Sequence, residues 1–174
     1  ISSLAAVLQE RGHAVSLLHF IAAPSREEFT ERFREAGADL VGFSVRTTIW
    51  PEVARLAAYV KDVSRLPVVC GGVHATLAPE AFANSADVDV VVVGEGEYPL
   101  AELADALERG ASFEGVDNLW VRRNGDWRRN PVRPLIENLD SSDPADVRTS
   151  ERIFLNDEIG SVKLPSPEAS SSLG

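Results

Sequence analysis

Two short stretches of this sequence combine glycine with polar side chains in an order suited to ligand binding. Gly71-Gly72 opens a segment that continues with His74 and Thr76, and residues 94–97 have the order Gly-Glu-Gly-Glu. Glycine lets the backbone adopt positive φ and approach a ligand with no Cβ in the way. A helix N-terminus favours an anion, but the two glutamates argue against a directly bound phosphate. The two stretches therefore predict a ligand cradle, and no catalytic group accompanies them.

Each stretch follows an apolar, β-branched run that is typical of a buried strand. Residues 67–70 lead into the first stretch and residues 88–93 into the second. Uninterrupted runs of this kind are typical of strands that helices cover on both faces. Ligands of open parallel sheets bind at the carboxyl ends of such strands. The two stretches are therefore expected side by side, outlining a crevice.

The remaining sequence alternates predicted strands and helices. Gly12, Gly37 and Gly110 mark helix ends, Ser25 with Glu28 forms a capping box, and Asn124-Gly125 indicates a β-hairpin. The predicted strands are residues 13–20, 39–45, 67–71 and 88–94, and the predicted helices are 1–11, 25–36, 51–64, 79–83 and 98–109.

This alternation predicts an α/β fold with a doubly wound, mostly parallel sheet, Rossmann-like or flavodoxin-like. The chain begins at Ile1 inside a helical pattern and contains no methionine. We therefore expect that the first strand of the fold is missing and that the natural protein is longer. In a flavodoxin-like order this first strand would be central.

Composition excludes several classes of partner and site. The net charge of −10 argues against nucleic acid or an anionic membrane as the main partner. No apolar run approaches the roughly 20 residues that span a bilayer, and no signal peptide is evident. The single cysteine, Cys70, excludes an internal disulfide and is expected to be an inert buried thiol. A cytoplasmic location is predicted.

The character of the chain changes near residue 137. Residues 137–152 are acidic and rich in turn residues, and the last residues form a Pro/Ser tail. Such composition cannot bury a core. We therefore predict one domain over residues 1–137 and a linker and tail over residues 138–174 that packs little against it.

Four segments together resemble a known family. Residues 12–15, 39–48, 71–80 and 94–103 are similar to the N-terminal cobalamin-binding domain of cobalamin-dependent radical SAM enzymes. The resemblance implies a cobalamin cofactor and, in the full-length protein, a [4Fe-4S] cluster, S-adenosylmethionine and a radical SAM catalytic domain as partner. The cysteines of the cluster motif are absent here. It implies methyl transfer or a radical rearrangement, with no catalysis by residues 1–174 alone.

The resemblance also assigns the site. Ser44 corresponds to the serine of a turn that contacts the nucleotide tail of the cofactor, and the Gly-Gly pair leaves space for that tail. A bulky residue at Gly72 is therefore expected to block binding while leaving the fold largely intact. The implied cofactor-binding residues are Ser44, Val45, Arg46, Thr47, Thr48, Gly71, Gly72, His74, Ala75, Thr76, Gly94, Glu95, Gly96 and Glu97.

Several assignments stay open. The D-x-H-x-x-G motif that supplies a cobalt ligand in related folds would precede Ile1, so the axial ligand is unknown. His74 is expected to hydrogen-bond the loop or the tail in preference to cobalt, and His13 to make a local hydrogen bond at the opposite edge. The arginines at 122, 123, 128 and 129 indicate a solvated face or a docking surface.

Two other functions fit the same residues. A stand-alone corrinoid carrier would use the same fold, and the residues upstream of Ile1 would distinguish it. A flavodoxin-like interaction module without a cofactor is an analogy of fold alone.

Overall fold

A five-stranded mixed sheet forms the centre of the protein. The computed structural model describes residues 2–82, 84–134, 153–155 and 161–163. The strands follow one another across the sheet in sequence order, the first three parallel and the last two antiparallel. They are β1 (Val41–Ser44), β2 (Val68–Gly71), β3 (Val90–Val92), β4 (Leu119–Arg123) and β5 (Asp126–Arg129).

Helices cover both faces of this sheet, as the sequence predicts. They are α1 (Ser2–Glu10), α2 (Arg26–Ala36), α3 (Trp50–Val63), α4 (Val73–Leu77) and α5 (Glu97–Glu108), with 3-10 helices at Thr47–Ile49 and Pro79–Phe82. The α/β class is confirmed. The short helix α4 was not predicted, because its five residues are too few to show a helical period.

Alternate residues of the central strands enter two separate cores. Val68 and Cys70 of β2 pack with α2 and α3 residues such as Phe29, whereas Val69 packs on the other face with Leu103 of α5. Side chains of a strand alternate between its faces, so a strand covered on both sides must be apolar throughout. This is why the unbroken valine runs predicted these strands.

Local signals place the ends of the helices and the hairpin turn. Ser25 Oγ accepts a hydrogen bond from the Glu28 backbone at 3.1 Å, which caps α2 as predicted. Gly37 ends the same helix in the left-handed conformation. Asn124 and Gly125 both have positive φ, as a two-residue turn between β4 and β5 requires.

Residues 13–20 do not form the predicted strand. They have no regular secondary structure, and Val15 and Leu17 are 37% and 42% exposed. A strand exists only through hydrogen bonds to a neighbouring backbone, and among the described residues no strand pairs with this segment. β1 likewise pairs only with β2 and lies at the edge of the sheet. The apolar pattern alone was therefore insufficient to predict a strand over residues 13–20.

Arg122 does not fit the predicted solvated face or docking surface. Its guanidinium donates to the carbonyl oxygens of Val88 and Ser85 and lies 4.5 Å from the centroid of the Trp127 ring. Arg122 thus holds the loop before β3 against the hairpin. Arg129, which is more exposed, lies over the Trp120 ring.

Little of the predicted linker is described. Ile153–Leu155 (β6) and Ser161–Lys163 (β7) pair as an antiparallel two-stranded sheet. The boundary at residue 137 and the packing of the tail lie outside the described residues. Among the described helices, none is long and apolar enough to cross a membrane. The cytoplasmic location stays a prediction.

A three-residue cluster ties the start of the chain to α5. His13 Nε2 and Arg11 Nη1 each lie 2.8 Å from an oxygen of Asp105. These two hydrogen bonds, with the charge of Arg11, hold the pKa of Asp105 below its ordinary value. His13 makes a hydrogen bond as predicted, but its partner Asp105 is distant in sequence, so the bond is not the local one expected.

Replacing Asp105 should weaken the fold in a pH-dependent way. Because the folded-state pKa is depressed, the stabilisation is present above the unfolded-state pKa and is lost as the pH falls through the folded-state pKa. Asp105→Asn is expected to lower the melting temperature at pH 7 and to match the wild type in strong acid. Thermal unfolding followed by circular dichroism at several pH values checks this, and a pH-independent deficit would contradict it.

The second core should tolerate truncation poorly. Leu103 is fully buried, whereas Leu77 on α4 is 78% exposed. Leu103→Ala is expected to lower the free energy of unfolding by about 2–5 kcal/mol. The matched change Leu77→Ala should cost about 0.5 kcal/mol or less. Urea denaturation measures both, and equal costs would contradict the assignment of the core.

Candidate functional site

Three loops meet where the parallel strands end. The name loop is used here for each segment that follows a strand, including any short helix within it. The first loop is residues 45–49 after β1, the second is residues 72–76 after β2, and the third is residues 93–97 after β3. Because the three strands are parallel, their carboxyl ends share one edge of the sheet. All of the predicted site residues lie in these loops or at the strand and helix ends that border them.

The first two loops are joined through Val45. Its amide donates to Gly71 O at 2.8 Å, and its carbonyl accepts from His74 N at 3.0 Å. Gly72 lies between these bonds with φ +93°, and a Cβ there would lie 2.9 Å from Val45 N and 3.0 Å from Val45 O. Glycine is therefore needed at this position for the two backbones to meet. The buried side chains of Val45 and Ala75 pack beneath the junction.

The expected effect of a bulky residue at Gly72 requires a correction. A side chain there would collide with the Val45 backbone and would disturb the fold itself, so the fold would not stay largely intact. Gly71 differs, since a Cβ on it would only touch Val92 at an ordinary 3.5 Å. The missing Cβ of Gly72 thus makes room for the Val45 backbone, whereas the sequence predicted that it makes room for a ligand.

His74 links the same two loops through its side chain. Its Nδ1 lies 3.2 Å from Thr47 Oγ1, and its ring packs against Trp50 and Phe82 at centroid distances of 6.3 and 5.4 Å. The residue is 7% exposed, and Nε2 is buried with no hydrogen-bond partner within the described residues. In this arrangement neither ring nitrogen is presented to a metal above the edge. The expectation that His74 bonds the loop is confirmed.

Thr76 joins the second loop to the third. Its hydroxyl donates to Gly72 O at 3.2 Å and accepts from Gly94 N at 3.0 Å. One hydroxyl thus fixes the spacing between the two glycine-containing loops. Thr76 remains exposed at the edge.

Asn118 is a residue at this edge that sequence reasoning missed. It is 3% exposed with φ +69°, and its Nδ2 donates to Val93 O at 2.7 Å. Its Oδ1 accepts from Arg133 N at 3.2 Å. A Cβ on Gly94, which has φ +86°, would lie 3.1 Å from the Asn118 amide. Asparagine tolerates positive φ, but no spacing in the sequence marks this position.

The two glutamates of the third loop have different surroundings. Glu97, the first residue of α5, accepts a hydrogen bond from Ser3 Oγ of α1 at 2.8 Å. Gly96 faces α1 too, because a Cβ on it would lie 3.3 Å from Leu4 Cδ2. Glu95 is exposed and has no hydrogen bond within the described residues.

Neutral hydroxyl groups form the solvent-facing side of the edge. Ser44, Thr47 and Thr48 are exposed, and within the described residues Ser44 Oγ and Thr48 Oγ1 have no hydrogen-bond partner. Thr48 does not cap α3, since that helix has no side-chain cap. Arg46 is also exposed here. These groups suit a ligand that offers amide and hydroxyl groups.

Catalytic and metal-binding groups do not gather here. Within the described part of the chain, no three His, Cys, Asp or Glu residues are placed to hold a metal ion. Burial raises the pKa of the Cys70 thiol to about 12, so this residue is not a nucleophile at neutral pH. The edge, as far as it is described, can bind and orient a ligand.

Comparison with known proteins identifies the family. The model of the B12 binding domain matches residues 1–104. The chain belongs to the B12-binding domain family. This confirms the family predicted from the glycine-containing segments, and with it the cobalamin cofactor. The edge fits that cofactor, because cobalamin brings its own chelated cobalt and a rim of amides.

Curated relatives of this B12-binding domain are longer enzymes. An uncharacterized methyltransferase of Pyrococcus horikoshii is 32% identical over 79% of this chain and 30% of its own length. An anaerobic magnesium-protoporphyrin IX monomethyl ester cyclase of Synechocystis is 32% identical over 79% of this chain and 29% of its own length. The chain thus spans less than a third of these relatives.

Solved structures agree with the fold. The radical S-adenosylmethionine methyltransferase TsrM from Kitasatospora setae, with cobalamin and a [4Fe-4S] cluster bound, is 26% identical with a TM-score of 0.70. The match covers 78% of this chain and 26% of that one. The cobalamin-dependent radical enzyme OxsB shares the fold at a TM-score of 0.60, over 77% of this chain and 19% of its own, with 15% identity.

The junction at Gly72 can be tested against another glycine of positive φ. Gly125 in the hairpin has φ +91° and open space around its Cβ position. Gly125→Ala should lower the free energy of unfolding by about 1–2 kcal/mol, because it adds only the strain of positive φ. Gly72→Ala should cost about 1–3 kcal/mol more, because the Val45 backbone must move. Equal losses in urea denaturation would show that the close approach is unimportant.

Proposed function

We propose that this domain holds a cobalamin over the carboxyl edge of β1–β3, as the N-terminal module of a radical SAM enzyme. The observation that carries the proposal is the match to the B12-binding domain family, and the exposed hydroxyl groups of the edge support it. The domain would comprise residues 1–137, and residues 138–174 would lead toward a catalytic domain. Family membership argues against a cofactor-free interaction module.

The proposed cradle divides the predicted residues into two groups. Ser44, Thr47, Thr48 and Glu95 are exposed and would contact the cofactor through hydrogen bonds to its amides and its nucleotide tail. The others shape the loops that present these groups: Val45, Gly71, Gly72, His74, Ala75, Thr76, Gly94, Gly96 and Glu97. Arg46 also lies exposed in the first loop.

The corrin ring would supply the metal chemistry. Bound cobalamin carries cobalt that accepts and transfers a methyl group or supports radical chemistry, and the protein orients it. His74 is not proposed as a cobalt ligand, since its ring is enclosed by Trp50 and Phe82. The residues described here thus bind the cofactor without coordinating its metal.

A catalytic domain would cover the exposed side of the cofactor. Four apolar side chains near this edge are more than 40% exposed: Val73, Leu77, Tyr98 and Val132. Exposed apolar groups of this kind mark contact surfaces. The catalytic partner would carry the [4Fe-4S] cluster and S-adenosylmethionine, and its reaction would be methyl transfer or a radical rearrangement. The names of the relatives include both a methyltransferase and a cyclase.

Titration with hydroxocobalamin tests the proposal directly. The purified protein should retain cobalamin through gel filtration, with its absorption bands co-eluting at one cofactor per chain. Ser44→Ala should weaken binding by roughly 2- to 10-fold, the equivalent of one hydrogen bond. Absorption difference spectra at several cofactor concentrations measure the dissociation constants.

A matched serine at the other end of the strands serves as the control. Ser85 lies in the loop that precedes β3, and its hydroxyl has no hydrogen bond within the described residues. Ser85→Ala should bind cobalamin like the wild type. If Ser85→Ala loses cobalamin binding and Ser44→Ala does not, the cofactor binds at the edge of Ser85 and the proposed site is wrong. If the folded wild type binds no cobalamin, the proposed function is wrong.

A further inference from the structure

Asn118 bonds to two segments of the carboxyl edge through its backbone and its side chain. Its backbone carbonyl accepts from the Val93 amide at 2.9 Å, and its backbone amide donates to Pro131 O at 2.8 Å. Its side chain donates from Nδ2 to Val93 O at 2.7 Å and accepts at Oδ1 from the Arg133 amide at 3.2 Å. Val93 O can only accept and the Arg133 amide can only donate, so a single orientation of the side-chain amide satisfies both. Asn118 thus joins the third loop to residues 131–133.

The peptide group between Val93 and Gly94 is held from both sides. Its carbonyl oxygen accepts from Asn118 Nδ2, and its N–H donates to Thr76 Oγ1 at 3.0 Å. The carbonyl and the N–H of a trans peptide point in opposite directions, so these two bonds together fix the plane of the group. Gly94 follows with φ +86°, and glycine has access to both signs of φ. Without the two bonds, this peptide group would be free to rotate.

Gly94 leaves room for the groups that hold it. A Cβ on Gly94 would lie 3.1 Å from Asn118 Nδ2 and 3.5 Å from Val132 Cγ1. Val132 is itself 53% exposed, so apolar burial does little to keep its segment in place. Arg133 anchors the segment instead, with two side-chain hydrogen bonds to Glu102 at 2.9 and 2.8 Å. The segment therefore lies against the third loop mainly through polar contacts.

We propose that Asn118 is a positioning residue that fixes the Val93–Gly94 peptide, and with it the third loop, for the binding of cobalamin. This inference rests on the proposed function in one respect, the identity of the ligand. Glu95 comes next in the loop and is exposed at the edge. A rotation of the peptide would turn the backbone that carries Glu95, and would move a group that is proposed to bond the cofactor. Asn118 is 3% exposed and acts without touching the ligand.

Hydrogen exchange of the cofactor-free protein tests whether Asn118 holds the peptide. Asn118→Gly keeps positive φ accessible and removes both side-chain bonds. The Gly94 amide should then exchange roughly 2- to 10-fold faster, as the loss of one hydrogen bond allows. The change should exceed that at the buried Val91 amide, because a general loss of stability would speed both. Unchanged exchange of the Gly94 amide would overturn the inference, whether or not cobalamin binds.

Asn124 in the hairpin turn provides the matched control. It is exposed, and it also has positive φ, of 52°. Asn124→Gly is therefore the same substitution at a position far from the third loop in the sheet. It should leave both the exchange of the Gly94 amide and the binding of cobalamin as in the wild type. An equal effect of the two substitutions on that amide would contradict the role of Asn118.

Binding of hydroxocobalamin tests the positioning role. Dissociation constants are compared at a temperature where circular dichroism shows every variant fully folded, so that a loss of stability alone does not change them. Asn118→Gly should bind roughly 2- to 10-fold more weakly. Asn118→Asp keeps the acceptor for Arg133 and loses the donor to Val93, so it should bind no better. Faster exchange with unchanged affinity would overturn the positioning role, whereas a wild type that binds no cobalamin would refute the proposed function and leave the exchange result standing.

Thr76→Val keeps the inference testable if Asn118→Gly does not fold. It preserves the shape of an exposed side chain and removes the hydroxyl on the other side of the same peptide. The Gly94 amide should again exchange faster, and hydroxocobalamin should bind more weakly. Normal exchange and normal affinity in this variant would show that the orientation of the peptide does not depend on its two bonds, and would overturn the inference.

Discussion

The site depends on the contact between two backbone segments, the one at Val45 and the one at Gly72. Val45 donates to Gly71 and accepts from His74, so the loops after β1 and β2 form one unit. This contact is possible only because Gly72 has no Cβ and adopts positive φ. Thr76 then extends the unit to Gly94 in the third loop. Each group at the edge takes its position from this chain of bonds.

The two edges of the sheet are stabilised by different kinds of interaction. At the carboxyl edge, Asn118 and Thr76 are neutral side chains that satisfy backbone groups of neighbouring loops. Elsewhere ion pairs connect distant segments, as Asp105 does with Arg11 and Lys61 does with Asp89. An edge that pairs its own polar groups internally, and leaves neutral hydroxyls outside, suits a large ligand that is rich in amides. It leaves the cobalt chemistry to the cofactor.

The sequence predicted much of this arrangement because its signals were local. Ser25 and Gly37 mark the two ends of α2 by capping chemistry, and Asn124-Gly125 marks a turn by backbone conformation. The valine runs of β2 and β3 indicated burial on both faces. Since parallel strands end at one edge, the placement of the glycine-containing loops followed from the fold class. Family resemblance supplied the cofactor, which no local signal contains.

The sequence by itself therefore determined the fold class and the family, because these depend on periodicity, caps and motifs within short windows. Only the tertiary structure decided which atoms meet. Residues 13–20 lack a strand because pairing needs a neighbouring backbone. Gly72 is required by Val45, and His74 faces Thr47 and Phe82. These contacts join residues that lie far apart in the chain. They are decided by packing, which a short stretch of sequence does not reveal.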